Sequence, residues 1–205
     1  MNSWKAITAH IGSMRAYLIF AAVLFAAGIY SGAVLPSVQS GLNGQLAQLE
    51  RIAATLQQSA NPSLSFFIVI FFNNVIKSLL VIYLGLFFGV FPVIFLVMNG
   101  MILGYVLSRE FADIGFSGLV ESIIKGILPH GIIELPILIL AGAYGLKFGT
   151  YAFRFIGQAV TPRSGLSAEF KFFANRTIPI SIAIVVLLLV AAGIESTVTL
   201  WLAGM

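Results

Sequence analysis

The sequence predicts an all-α integral membrane protein, a polytopic helical bundle of about five transmembrane helices joined by amphipathic interfacial helices. Three observations carry that expectation. Of 205 residues, 60% are apolar and only 9% charged; the mean hydropathy is +1.04; and the apolar residues fall in long runs almost free of charge. Soluble domains are about a quarter charged, so this chain lacks the polar surface to cover a globule in water, and lipid must solvate most side chains. With no cysteine, disulfides, thiolate metal sites, a cysteine nucleophile and S-acylation are excluded. The net charge of +4 reports topology rather than an acidic partner, and nucleic-acid binding is not expected.

The first charge-free run, Ala16 to Val34, has 19 residues, enough at about 1.5 Å per residue to cross the hydrocarbon layer. Its length favours an anchor over a cleaved signal peptide, whose apolar core is about 7–15 residues. Between Pro36 and Pro62, Leu42, Leu46, Leu49, Ala53 and Leu56 recur at three- and four-residue spacing, the stripe of an amphipathic helix lying on the membrane or on a neighbour. From Leu64 to Ser108 the chain is apolar except for Lys77, too long for one crossing. Gly85-Leu-Phe-Phe-Gly89-Val-Phe-Pro92 is the expected break, because glycine loosens a helix and proline disfavours helix at the residue before it.

After Arg109, Glu110 and Asp113 an interfacial helix is expected. Phe116, Leu119, Val120, Ile123, Ile124, Ile127 and Leu128 share one face, and Ser117, Glu121, Ser122 and Lys125 the other. A fourth span follows from Pro129 to Tyr151. A fifth runs from Thr177 to Glu195, with Asn175 or Thr177 as cap and Pro179 in the first turn. The chain thus reads as a single membrane domain over 1–205, with spans near 16–34, 64–84, 92–108, 129–151 and 177–195. With the N-terminus inside, the cytoplasmic segments hold Lys5, Arg15, Lys147, Arg154, Arg163, Lys171 and Arg176, against Arg51, Arg109 and Lys125 outside, as the positive-inside rule expects.

Small residues recur every four positions at Gly28 and Gly32, Gly85 and Gly89, Gly100 and Gly104, and Ala141, Gly145 and Gly149. Such rows let helices approach closely in lipid, either within one chain or in a homo-oligomer through these small-residue faces.

The chemistry-bearing residues are the polar ones at membrane depth, where a charge costs about 2.5–3.5 kcal/mol. Asn73, Asn74 and Lys77 share a side of the second span, Asn99 lies on the third, and His130 and Glu134 are one turn apart on the fourth. Opposite charges suggest a Lys77–Glu134 ion pair between helices, with the amides and the imidazole satisfying the remaining groups. This buried cluster has three readings: interhelical glue, a conduction or transport path beside a proline-flanked helix, or a catalytic pair with Glu134 as general base and His130 as acid or metal ligand. His130-x-x-x-Glu134 alone supplies too few ligands for a metal site, and no cofactor is expected. His10, near the N-terminus, reads as solvated. No nucleotide loop, G-x-S-x-G or H-E-x-x-H motif is present.

Asn73-Asn74-x-x-Lys77, Asn99-Gly100-x-x-x-Gly104, Leu128-Pro129-His130-Gly131-x-x-Glu134-Leu135-Pro136 and Ala141-Gly142-x-x-Gly145-Leu146-x-x-Gly149 together resemble the stage II sporulation protein M family. The resemblance covers nearly the whole chain, and the L-P-H-G-x-x-E-x-P stretch is its most specific part. It implies a multispan cytoplasmic-membrane protein that, in spore formers, acts with a pair of peptidoglycan-degrading proteins during engulfment; other members accompany circular-bacteriocin production. The expected role is a membrane scaffold or localisation component for other membrane or envelope proteins. The alternatives are a transporter or channel, or a membrane-embedded peptide-maturation enzyme using His130 and Glu134.

Overall fold

The computed structural model describes residues 12–158 and 164–202, so Lys5, His10 and Arg163 lie outside the described residues. Every regular element among the described residues is helical. The helices are α1 (Arg15–Val34), α2 (Pro36–Gln57), α3 (Pro62–Leu84), α4 (Val90–Ser122), α5 (Leu128–Gly157), α6 (Leu166–Ile194) and the short α7 (Leu200–Leu202). Single π-helical turns, Ile123–Ile127 and Glu195–Thr199, join α4 to α5 and α6 to α7. Four helical stretches are long and apolar enough to cross a bilayer: Arg15–Val34, Pro62–Leu84, Val90–Gly157 and Leu166–Thr199.

The third of these, 68 residues long, folds back on itself. At Gly115 the backbone leaves the helix (φ 69°, ψ −175°), a conformation open to glycine because it lacks a Cβ. The returning helix runs antiparallel to the outgoing one, with Pro92 against Gly145 and Leu96 against Gly142. Between the kink and α5, Phe116, Val120, Ile124 and Leu128 are exposed while Leu119, Ile123 and Ile127 are half-buried, so the apolar stripe faces partly outward, as an interfacial segment requires.

The break after the second apolar run falls in the expected glycine segment. α3 stops at Leu84, Phe88 and Gly89 take positive φ (57° and 73°), and α4 starts at Val90. Helix α5 is the centre of the bundle, burying Ile137, Ala141, Ala143, Tyr144, Phe148 and Tyr151.

The glycine rows are filled within the chain. A Cβ on Gly32 would lie 2.0 Å from the Met101 carbonyl oxygen, and one on Gly104 would lie 2.0 Å from that of Ile29; Gly28 and Gly100 meet in the same contact. Gly85 packs on Gly145 and Gly89 on Gly149. These small-residue rows are therefore packed against this chain's own helices.

Helix α2 folds over the end of α1 and onto α4. The Gln39 amide donates to the Gly32 and Ala33 carbonyls at 3.1 and 3.0 Å, satisfying acceptors that every helix C-terminus leaves open. Tyr105 donates to Asn43, and Arg109 pairs with Glu50 at 2.9 Å. Of the predicted stripe, Leu42 is buried and Leu46, Ala53 and Leu56 are half-buried, while Leu49 is exposed.

The last apolar helix differs from expectation at its start. It begins at Leu166, behind Gly165 in the left-handed region (φ 90°), so Asn175 and Thr177 are interior and neither caps it. Thr177 is buried, its hydroxyl donating to the Phe173 carbonyl at 3.0 Å. Pro179 costs one backbone hydrogen bond, but packing carries the helix through it. Phe173 stacks against Tyr144 and meets Phe148 and Tyr151 edge-on or tilted, while the Lys147 ammonium sits 4.7 Å above its ring, a cation–π contact.

Candidate functional site

Four elements bring polar side chains to one region of the bundle. Helix α3 presents Asn73, Asn74 and Lys77, α4 presents Asn99, and α5 presents His130 and Glu134 one turn apart. The π-helical turn after α6 adds Glu195 and Thr199. Asn73, Asn74, Lys77, Asn99, His130 and Glu134 all line one cavity of about 300 Å³ between these helices.

The connections run through amides and a hydroxyl. Asn73 donates to the Asn74 side-chain oxygen at 3.1 Å, and Asn74 donates to Glu134 Oε1 at 2.7 Å, linking α3 to α5. On the other side, His130 Nδ1 lies 3.2 Å from the Thr199 hydroxyl, and its Nε2 lies 3.9 Å from Glu195 Oε2. The imidazole is thus held at one nitrogen and directed at a carboxylate with the other.

Two expected connections are absent. Lys77 lines the cavity but forms no ion pair with Glu134, whose cross-helix partner is Asn74. The reason is rotational: on α3 the Asn74 side chain faces α5 and is half-buried, whereas Lys77, three residues on, is exposed at the cavity's edge. Asn99 also lines the cavity, yet its amide turns back to the Phe95 carbonyl of its own helix at 2.7 Å, the i−4 bond that lets a polar residue satisfy itself in lipid.

Glu195 is the residue that the sequence reading left aside, as a charge ending the fifth span. A signal for it exists in the topology. Antiparallel neighbours juxtapose the start of one helix with the end of the next, so the first turn of α5, bearing His130, meets the end of α6, bearing Glu195. The π-helical turn there inserts an extra residue into the helix, a distortion frequent at functional sites. One ligand atom each from His130, Glu134 and Glu195 lie within 4.8 Å of one another. Such a group can pass a proton, activate a nucleophile or hold a cation.

The family model described as stage II sporulation protein M matches residues 21–200. An uncharacterized protein of Methanocaldococcus jannaschii is 30% identical over 151 residues, covering 74% of this chain and 62% of its own length, so the match spans about three-fifths of that relative. No solved structure matches the chain. The match runs from within α1 to α7, embracing every residue of the polar cluster, and the chain belongs to the stage II sporulation protein M family, whose membrane-protein character its apolar helices fit.

Proposed function

We propose that this protein acts in the cytoplasmic membrane, as a multi-pass scaffold or localisation component that holds cell-envelope partners, peptidoglycan-degrading proteins among them, at the membrane. One observation carries the reading. Between the apolar helices, the described residues include α2 and the kinked 115–127 stretch, both short, which suits action on the envelope through other proteins. Helix α2 suits recruitment. Pinned to the bundle by Gln39, Asn43 and Glu50, it leaves Gln45, Gln48, Arg51 and Gln57 exposed. The N-terminus is on the cytoplasmic side in this proposal, supported by seven Lys and Arg residues in the inside segments against three outside.

The test is crosslinking and co-purification from native membranes. Envelope proteins should be recovered with the wild type and with Glu134→Gln, and lost when Gln48 and Arg51 are both changed to Glu. Equal recovery with the Gln48/Arg51 variant would remove α2 as the recruiting face; no partner under any condition would remove the scaffold.

A membrane-embedded peptide-maturation enzyme is a second reading, favoured by the convergence of His130 and Glu134 on one cavity. It requires a processed peptide product that Glu134→Gln abolishes.

A further inference from the structure

Independently of that recruiting role, we propose that His130, Glu134 and Glu195 form a binding site for one divalent transition-metal ion of the zinc class, set in the wall of the polar cavity. Ligands about 2.0–2.2 Å from a tetrahedral metal stand about 3.3–3.6 Å apart, and the three ligand atoms here lie within 4.8 Å of one another, so a rotamer adjustment of about 1 Å closes the site.

A metal-binding imidazole is typically held through its other nitrogen, and a binding carboxylate through an outer hydrogen bond. His130 Nδ1 meets the Thr199 hydroxyl, leaving Nε2 toward Glu195, and the Asn74 amide holds Glu134 from outside the cluster. Each support comes from a different helix or turn than the ligand it holds, so two of the three ligands, His130 and Glu134, are oriented before any ion arrives.

Charge also favours a cation here. Two carboxylates meet in a partly buried region of a membrane bundle, and neither pairs with Lys77 or with any other lysine or arginine among the described residues. Isolated charges at such depth are costly, and an amide cannot cancel one. A divalent cation neutralises both carboxylates at once while a neutral imidazole completes the set. The nitrogen-and-oxygen ligand set, without thiolate, suits zinc or manganese over soft metals, and the imidazole disfavours calcium and magnesium. His130 and Glu134 also line the 300 Å³ cavity, leaving room for water at the remaining coordination positions.

The test uses the full chain in lipid nanodiscs, purified through a tag without histidine, stripped with chelator and reloaded with Zn²⁺. Metal content after dialysis should be about one zinc per chain, with Mg²⁺ and Ca²⁺ failing to compete at equal concentration. His130→Ala and Glu195→Gln should each weaken binding at least ~100-fold, and Thr199→Val about 10-fold, within the range typical of outer-sphere changes. His10→Ala should change nothing, since His10 and His130 are the chain's two histidines. Should a ligand variant fail to stay monodisperse, Thr199→Val decides. No stoichiometric zinc on the folded wild type, or zinc binding unchanged in the monodisperse variants, overturns the site; neither result bears on whether partners are recruited through α2.

Discussion

Asn74 donates to Glu134 at 2.7 Å, so the contact that joins α3 to α5 within the polar cluster is made by an amide while Lys77, one turn away, pairs with no carboxylate among the described residues. The acid is therefore tied to α3 without being neutralised by it. Hydrogen bonds between membrane helices contribute about 0.6 kcal/mol on average and at most about 1.7.

A double-mutant cycle between Asn74→Ala and Glu134→Ala should return a coupling near the upper end of that range, because the acceptor is a carboxylate, and charge-assisted bonds are about twice as strong as neutral ones. The cycle between Lys77→Met and Glu134→Ala should return less. Unfolding in mixed micelles, followed by helical circular dichroism, measures both. A larger coupling through Lys77 would mean that the ion pair expected from charge complementarity is the true connection.

The glycine rows give a second, opposite pair of outcomes. A Cβ at Gly32 or Gly104 would stand 2.0 Å from a backbone carbonyl oxygen, and backbone cannot swing aside as a side chain can. Gly32→Ala and Gly104→Ala should each cost about 1–3 kcal/mol, the usual penalty of overpacking, and should push α1 away from α4. Gly44→Ala, on α2 with open space around its Cα, should instead stabilise by up to about 1 kcal/mol, since glycine in a helix interior is unfavourable relative to alanine. Thermal unfolding of the three variants in one detergent separates the cases, and a destabilised Gly44→Ala would show that α2 is not the regular helix described.

These two sets of residues also mark how far the sequence reads. The four-residue glycine spacing identifies close-packing faces, because only the smallest side chain permits such approach, but spacing is the same whether the partner is α4 or a second chain. The long apolar runs and the Gly85–Gly89 break are written in local chemistry and appear where that chemistry puts them. The start of α6 is not. Proline near a helix start is a local rule, and here the packing of Phe170 and Phe173 against Tyr144, Phe148 and Tyr151 overrides it. The polar cluster divides in the same way. Asn74, His130 and Glu134 are conspicuous because lipid makes any polar side chain expensive. Glu195 escapes notice because it stands at the end of its apolar run, where a charge needs no explanation, and only the antiparallel pairing of α5 with α6 shows that it faces inward.

Chain topology gives the last prediction, and the lack of native cysteine makes it clean to test. Glu50 on α2 pairs with Arg109 on α4, and Asn43 accepts from Tyr105, so α2 and the far end of the first arm of α4 lie at one end of the bundle. The 115–127 stretch continues from that end and carries the exposed Glu121–Lys125 pair. From there α5 runs 30 residues to Gly157, about 45 Å at 1.5 Å per residue and longer than the ~30 Å hydrocarbon layer. In the proposed multi-pass orientation, Arg154, close to its end and exposed, emerges on the opposite, cytoplasmic face. A membrane-impermeant maleimide applied to intact cells should label Arg51→Cys and Lys125→Cys alike and should reach Arg154→Cys only after the membrane is opened. Labelling of all three from outside would mean that α5 does not cross, and the antiparallel hairpin of α4 and α5 would have to lie along the bilayer instead of through it.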